Sequence, residues 1–218
     1  MFHTVVIGGG CLGASAAISL QRKLNKEGKS GKVCLIEKAV LCAAESSRHS
    51  GIVRSANADP DASVMASISS RMWKDLSKIW GIDMELDEFG AIWIAKKNSD
   101  GENPVWQQLS ERMKKIDLTF EEIGTSSATE KCGKTLLTDE EESYFYEPEA
   151  FQLDPSILRS TLYDAIDQNG IELMEKTEVD TILTKGNEII GLTTNNGKID
   201  AKNFVNATGA WSSQLFSK

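Results

Sequence analysis

The sequence predicts an α/β fold: a parallel-sheet domain carrying a small β-meander and interrupted by a segment of different character. Three observations carry that expectation. A β-branched run, HTVVI, ends at closely spaced glycines and leads into ASAAISLQRKL, whose alanines and leucines fall at helical spacing. A second apolar run, VCLIE, follows the polar loop NKEGKSGK and completes a βαβ unit. Far downstream, β-rich runs divided by KGN and NNG turns read as an antiparallel meander returning to a buried strand.

Between these ends, Val64, Met65, Ile68, Met72, Leu76 and Ile79 recur at intervals of three and four after ADPD, which predicts an amphipathic helix from Asp61 to about Trp80, its apolar face packed in the core. ELDEFGAIWIAKK reads as paired strands. A helix is expected near Pro104 to Ile116, then a polar stretch as far as Leu136. In QLDPSILRSTLYDAIDQNG, Asp154 supplies an N-cap, Pro155 a first-turn proline and Gly170 a helix end, with Leu158, Leu162, Ala165 and Ile166 on the apolar face. The βα pattern has resumed there. IELMEKTEVDTIL, EIIGLTT and KIDAKNFVNAT are the runs of the meander.

Composition narrows the chemistry. The 218 residues carry 24 basic and 32 acidic side chains with no basic cluster, which argues against nucleic acid as a partner. No apolar run approaches the ~20 residues needed to cross a bilayer, so a protein of the cytoplasm or an organelle matrix is expected. Cys11, Cys34, Cys42 and Cys132 form no CxxC pair and no metal-ligand spacing, and reduced thiols are expected. His3 and His49 are the only histidines, too few for zinc-protease spacing and a poor basis for a serine or cysteine nucleophile. Any chemistry is therefore expected to come from a cofactor.

The glycines point toward a dinucleotide without naming it. In VVIGGGCLGAS, Gly8 turns the chain off the strand, Gly10 lets the backbone approach a pyrophosphate, and Gly13 allows close packing of helix on sheet. The helix N-terminus then faces the anion. Glu37, at the end of the second strand, is placed to accept hydrogen bonds from an adenosine ribose, a little further along than the ~20 residues usual after such a turn. This is a Rossmann-like dinucleotide turn. By themselves these residues leave nicotinamide and flavin dinucleotides open, as well as a bare glycine turn with Glu37 as an ordinary strand-end carboxylate.

The ordered set VVIGGGCLGAS, IEK, ESSRHSGIVR, FQLDPSILRSTLYDAIDQNG, TEVDTI and FVNATGAW resembles FAD-dependent oxidoreductases of the D-amino-acid oxidase type over nearly the whole chain. That family includes glycine oxidase, sarcosine oxidases and dimethylglycine dehydrogenase relatives. The resemblance implies a Rossmann-like FAD-binding domain, a parallel sheet with a β-meander, over residues 1–82 and 147–218, interrupted over 83–146 by part of an α+β substrate-binding domain. It implies FAD contacts from Gly8, Gly9, Gly10, Cys11, Leu12, Gly13, Glu37 and Lys38. Ala207, Thr208, Gly209 and Trp211 would close a second turn on the cofactor, and the backbone of Val179 would meet the adenine. Without the resemblance, Val179 is a buried valine.

In the same family the loop after Glu37 runs beside the flavin, and Ser46, Ser47, Arg48 and His49 match its positions. Arg54 resembles the arginine with which some relatives hold the substrate carboxylate, a task suited to a planar, permanently charged fork. A solvated loop for Arg48 and a surface ion pair for Arg54 are the alternatives that the residues leave open. RHSG is not the pattern of relatives that link flavin to a histidine, so noncovalent FAD is expected and no metal.

The implied reaction moves a hydride from the C–H beside the amine of a small amino acid or N-methyl amino acid to flavin. Two further readings stand beside it: a flavin dehydrogenase of 2-hydroxy acids or glycerol 3-phosphate, and a noncatalytic FAD-binding module or assembly factor. Family members continue past NATGAW, so the chain is expected to represent an N-terminal portion, its site completed by further sequence or by a second chain. No catalytic base is assigned.

Overall fold

The structure, a computed structural model, describes residues 1–81, 83–133 and 138–216. The chain forms two compact units, Met1–His49 with Pro155–Lys218, and Ser50–Asp154.

The first unit is built on β1 (Phe2–Ile7), α1 (Cys11–Lys26) and β2 (Val33–Ile36), the expected βαβ unit. α5 (Pro155–Gln168) leads to β8 (Glu172–Met174), and β12 (Ala201–Asn206) completes a four-stranded parallel sheet of order β12-β1-β2-β8. Val5, Val6, Val33, Cys34 and Leu35 are fully buried, as a sheet covered on both faces requires. Ala14, Ala17 and Ile18 of α1 are equally buried, and each aliphatic side chain of valine size or larger taken fully out of water contributes about 1.5–3 kcal/mol.

β9 (Val179–Lys185), β10 (Glu188–Thr194) and β11 (Gly197–Ile199) form the antiparallel meander. Val179, Leu192 and Ile199 join Val5, Ile7, Cys34 and Ile36 in one apolar cluster. IELMEKTEVDTIL is therefore two strands in two sheets, divided at Lys176, which takes a positive φ of 50°. The last element is α6 (Ser212–Phe216).

The second unit contains β3 (Ile52–Val53), α2 (Pro60–Trp80), β4 (Ala91–Lys96), α3 (Pro104–Lys115), β5 (Glu121–Ile123), α4 (Thr125–Lys131), β6 (Glu142–Glu147) and β7 (Phe151–Gln152). β3 pairs antiparallel with β7, and β4-β6-β5 form an antiparallel sheet. The units divide at His49/Ser50 and Asp154/Pro155. The β3–β7 ribbon closes the ends of the second unit on each other and takes α2 with it.

Three expectations need correction. ELDEFGAIWIAKK supplies one strand rather than a local pair, because β4 finds its partner in β6. The polar stretch contains β5 and α4, and Leu136 lies outside the described residues. α2 forms as expected, but Val64, Met65, Ile68, Met72 and Ile79 are exposed, with Met65 at 73%. The core of this unit lies elsewhere. Trp93, Trp106, Phe120 and Phe145 pack ring against ring at centroid separations of 5.3–5.9 Å over Leu109, Met113 and Leu118.

Candidate dinucleotide site

The parallel ladder puts three strand ends side by side. Ile7 pairs in register with Ile36 on one side and Asn206 on the other, so the turns that leave β1, β2 and β12 emerge at the same edge. The amide of Gly8 donates to Ile36 O at 2.9 Å and that of Ala207 to Ile7 O at 2.8 Å, extending the ladder one residue beyond the strands. Carboxyl ends of adjacent parallel strands are where open α/β sheets bind ligands.

The first and last turns are pressed together. Gly8 has φ +107°, and a β-carbon on it would lie 2.5 Å from Ala207 O; one on Gly13 would lie 1.9 Å from Gly8 O. Any other residue at either position would force the backbone to shift. Crowding of turn on turn and helix on turn therefore accounts for these glycines. Asn206, which sequence reasoning passed over, fixes the second turn: its Oδ1 accepts from Thr208 N–H at 3.1 Å and Thr208 Oγ1–H at 2.6 Å.

A cleft of about 300 Å³ opens at this edge. Gly8, Gly10, Cys11, Leu12, Glu37, Lys38, Ser46, Val179, Ala207, Thr208, Gly209 and Trp211 line it, all within the first unit. Ala43, Ala44, Glu45, Thr177, Glu178 and Gln214 also line it without having been anticipated. Ala43, Ala44, Thr177 and Glu178 come from loops, Glu45 opens a short 3-10 turn and Gln214 lies in α6; the ladder brings them to one edge.

Gly9 and Gly13 stand behind the lining. The Gly9 amide donates to Glu37 Oε2 at 2.7 Å, and Ala39 N–H donates to Glu37 Oε1 at 2.8 Å, so the strand-end carboxylate already braces the glycine turn. Each oxygen keeps acceptor capacity for a further donor. Lys38 Nζ lies 4.7 Å from the Trp211 ring centroid, bringing charge and indole together on the cleft wall.

α1 begins at the cleft. Its N-cap, Gly10, makes no side-chain hydrogen bond, and its first turn holds no acidic residue, so the positive end of the helix is left for an external anion. Ser46 Oγ accepts from Cys11 N–H at 2.9 Å, tying the loop after β2 to that end. Burial pushes the Cys11 thiol up from its ordinary value, against a side-chain hydrogen bond with Ser15.

The remaining loop residues are placed differently. Ser47 turns to a separate shallow depression with Arg159 and Tyr163. Arg48 and His49 are exposed, and His49 Nε2 lies 3.1 Å from Ser46 O. Arg54 belongs to the second unit, immediately after β3. Among the described residues, no group of three or more His, Cys, Asp or Glu side chains could hold a metal, and no helix is long and apolar enough to cross a membrane.

A family model, FAD dependent oxidoreductase, matches residues 3–218. The chain belongs to that family. Among solved structures, glycine oxidase from Bacillus cereus ATCC 14579 is similar in fold, with a TM-score of 0.82 at 23% identity, covering 100% of this chain and 58% of the oxidase chain. L-proline dehydrogenase from P. horikoshii has a TM-score of 0.82 at 25% identity, covering 99% of this chain and 55% of the dehydrogenase chain. The mitochondrial pyruvate dehydrogenase phosphatase regulatory subunit of Mus musculus is 24% identical over 213 residues, which is 98% of this chain and 23% of the subunit. The chain thus spans a little over half of those two solved chains and about a quarter of the regulatory subunit.

The cleft fits the family's cofactor, FAD. Two backbone turns held against each other, a helix N-terminus with no acidic residue in its first turn and a strand-end carboxylate meet the needs of a dinucleotide's pyrophosphate and ribose.

Proposed function

We propose that this chain supplies the FAD-binding portion, and part of the substrate-binding portion, of an oxidoreductase acting on small amino acids or N-methyl amino acids. One observation carries the reading: the Gly8–Gly13 turn and the Ala207–Gly209 turn wall a single cleft. In this reading Gly10, Leu12 and the first-turn amides of α1 that Ser46 does not engage hold the pyrophosphate, Glu37 receives the ribose hydroxyls, and Val179 lies along the adenine. The cofactor is held noncovalently. The chemistry FAD supplies when bound is acceptance of a hydride from the carbon beside the amine.

This chain's own part is binding and orientation. Arg54 offers an exposed guanidinium to the substrate carboxylate, a contact that fixes one end of the substrate and selects amino acids over simple amines. The L-proline dehydrogenase and glycine oxidase likenesses support that substrate class. The test is anaerobic: the FAD-loaded protein is mixed with sarcosine, glycine, L-proline and 2-hydroxyglutarate while the flavin absorbance is followed. Bleaching by one of the amino acids supports the reading, and bleaching by 2-hydroxyglutarate alone overturns it in favour of a hydroxy-acid dehydrogenase.

A second reading is favoured by the regulatory subunit, a relative matched over nearly this whole chain whose name describes regulation. On that reading the cleft binds FAD as a structural or sensing ligand and no substrate is oxidised. Tight FAD binding without bleaching by any of the four compounds selects it.

A further inference from the structure

The second unit contains a buried carboxylate that the dinucleotide cleft does not use. Glu147 ends β6 and has no solvent exposure. A carboxylate in such a place is tolerated only when its oxygens are fully engaged. Its Oε1 accepts from the amides of Ser55 and of Ala56, the latter at 3.1 Å, and its Oε2 accepts from Trp93 Nε1–H at 3.1 Å.

Two of those partners also hold Arg54. Ser55 and Ala56 are the next two residues of its own chain, and Ala56 O accepts from Arg54 Nη1 at 2.9 Å. The Trp93 ring lies under the guanidinium, 4.3 Å from its carbon to the ring centroid. Trp93 is itself wedged against Trp106 and Phe120. The guanidinium is thus fixed on one face and one edge while Arg54 as a whole stays exposed.

We propose that Glu147 is a positioning residue for Arg54, holding the guanidinium ready to pair with a carboxylate ligand through the Ser55–Ala56 backbone and the Trp93 indole. The inference rests on the reading of Arg54 as the carboxylate-binding residue. Its physical content is that rotamer freedom is surrendered before the ligand arrives, so less is lost on binding. A neutral side chain of the same volume could fill the space, but it could not accept all three N–H groups.

The test titrates the full chain with sodium acetate, a carboxylate that cannot be oxidised at an amine, while following the Arg54 Nε–Hε resonance, assigned by its loss in Arg54→Lys. In Glu147→Leu the dissociation constant is expected to rise at least tenfold, with Glu147→Gln intermediate. Trp93→Phe keeps the ring but not its donor and should rise several-fold; it carries the test should the Glu147 variants fail to fold. With sarcosine, the FAD-loaded Glu147→Gln protein should show a KM raised about fivefold and a saturating bleaching rate changed less than twofold. Acetate affinity equal to wild type in both Glu147→Leu and Trp93→Phe, or an Arg54 resonance that acetate does not move in the wild type, overturns the proposal. Acetate dependence on Glu147 without bleaching by any amino acid sustains it and overturns the oxidase reading instead.

Discussion

A β-carbon on Gly13 would lie 1.9 Å from the carbonyl oxygen of Gly8, closer than any packed atoms can approach. The helix can start where it does only because Gly13 has no side chain, and the cleft edge depends on that start. Gly13→Ala should therefore cost about 1–3 kcal/mol as the overpacked turn shifts and should also weaken FAD binding. Gly28→Ala, at a position with φ +62° and open space around it, should cost only about 1 kcal/mol and leave FAD binding intact. Urea denaturation and quenching of FAD fluorescence measure the two effects separately.

Glu37 braces the same turn with both carboxylate oxygens, one to Gly9 N–H and one to Ala39 N–H. In Glu37→Gln one of those amides must face an NH₂ group. The expected loss is about 1–2 kcal/mol of stability with at least a tenfold weaker FAD affinity. Equal FAD affinity in the variant would remove Glu37 from the binding site, whatever its effect on folding.

Burial pushes the Cys34 thiol up to about 12 and the Cys42 thiol up to about 11. Both folded values lie above the ~8.5 of an unfolded thiol, so the stabilisation they contribute is complete below pH ~8.5 and is lost as pH rises toward the folded values. The urea midpoint should fall between pH 7.5 and pH 10, and Cys34→Ala should fall less. Iodoacetamide at pH 8 should label neither thiol in the native protein and both in urea.

The apolar stripe of α2 makes a contrasting prediction. Ile68 is 53% exposed, whereas Met113 on α3 is fully buried. Ile68→Lys should change stability by less than about 0.5 kcal/mol, while Met113→Ala should cost about 2–5 kcal/mol. Thermal unfolding of the two variants compares them directly.

That stripe also marks a limit of periodicity. Spacing at three and four reports that a helix has one apolar face, as α2 does, but not what that face meets. The first unit was more legible, because a glycine turn, a parallel strand pair and a capped helix are each specified within a few neighbouring residues. The Ala207–Gly209 turn was recognisable through the company it keeps, and its contact with Gly8 follows from the register of β1 with β12. Glu147 carried no local signal at all. It reads as one more acid after an aromatic strand until the fold brings Ser55, Ala56 and Trp93 around it.

The sequence by itself determined the βαβ unit, the dinucleotide turn and the meander, since backbone conformation and side-chain alternation act over a few residues. Only the tertiary structure decided where the second unit begins, which apolar faces are covered, and which carboxylate stands behind Arg54. Those depend on pairings between residues far apart along the chain, and the energy of such a contact exists only once both partners have been brought together.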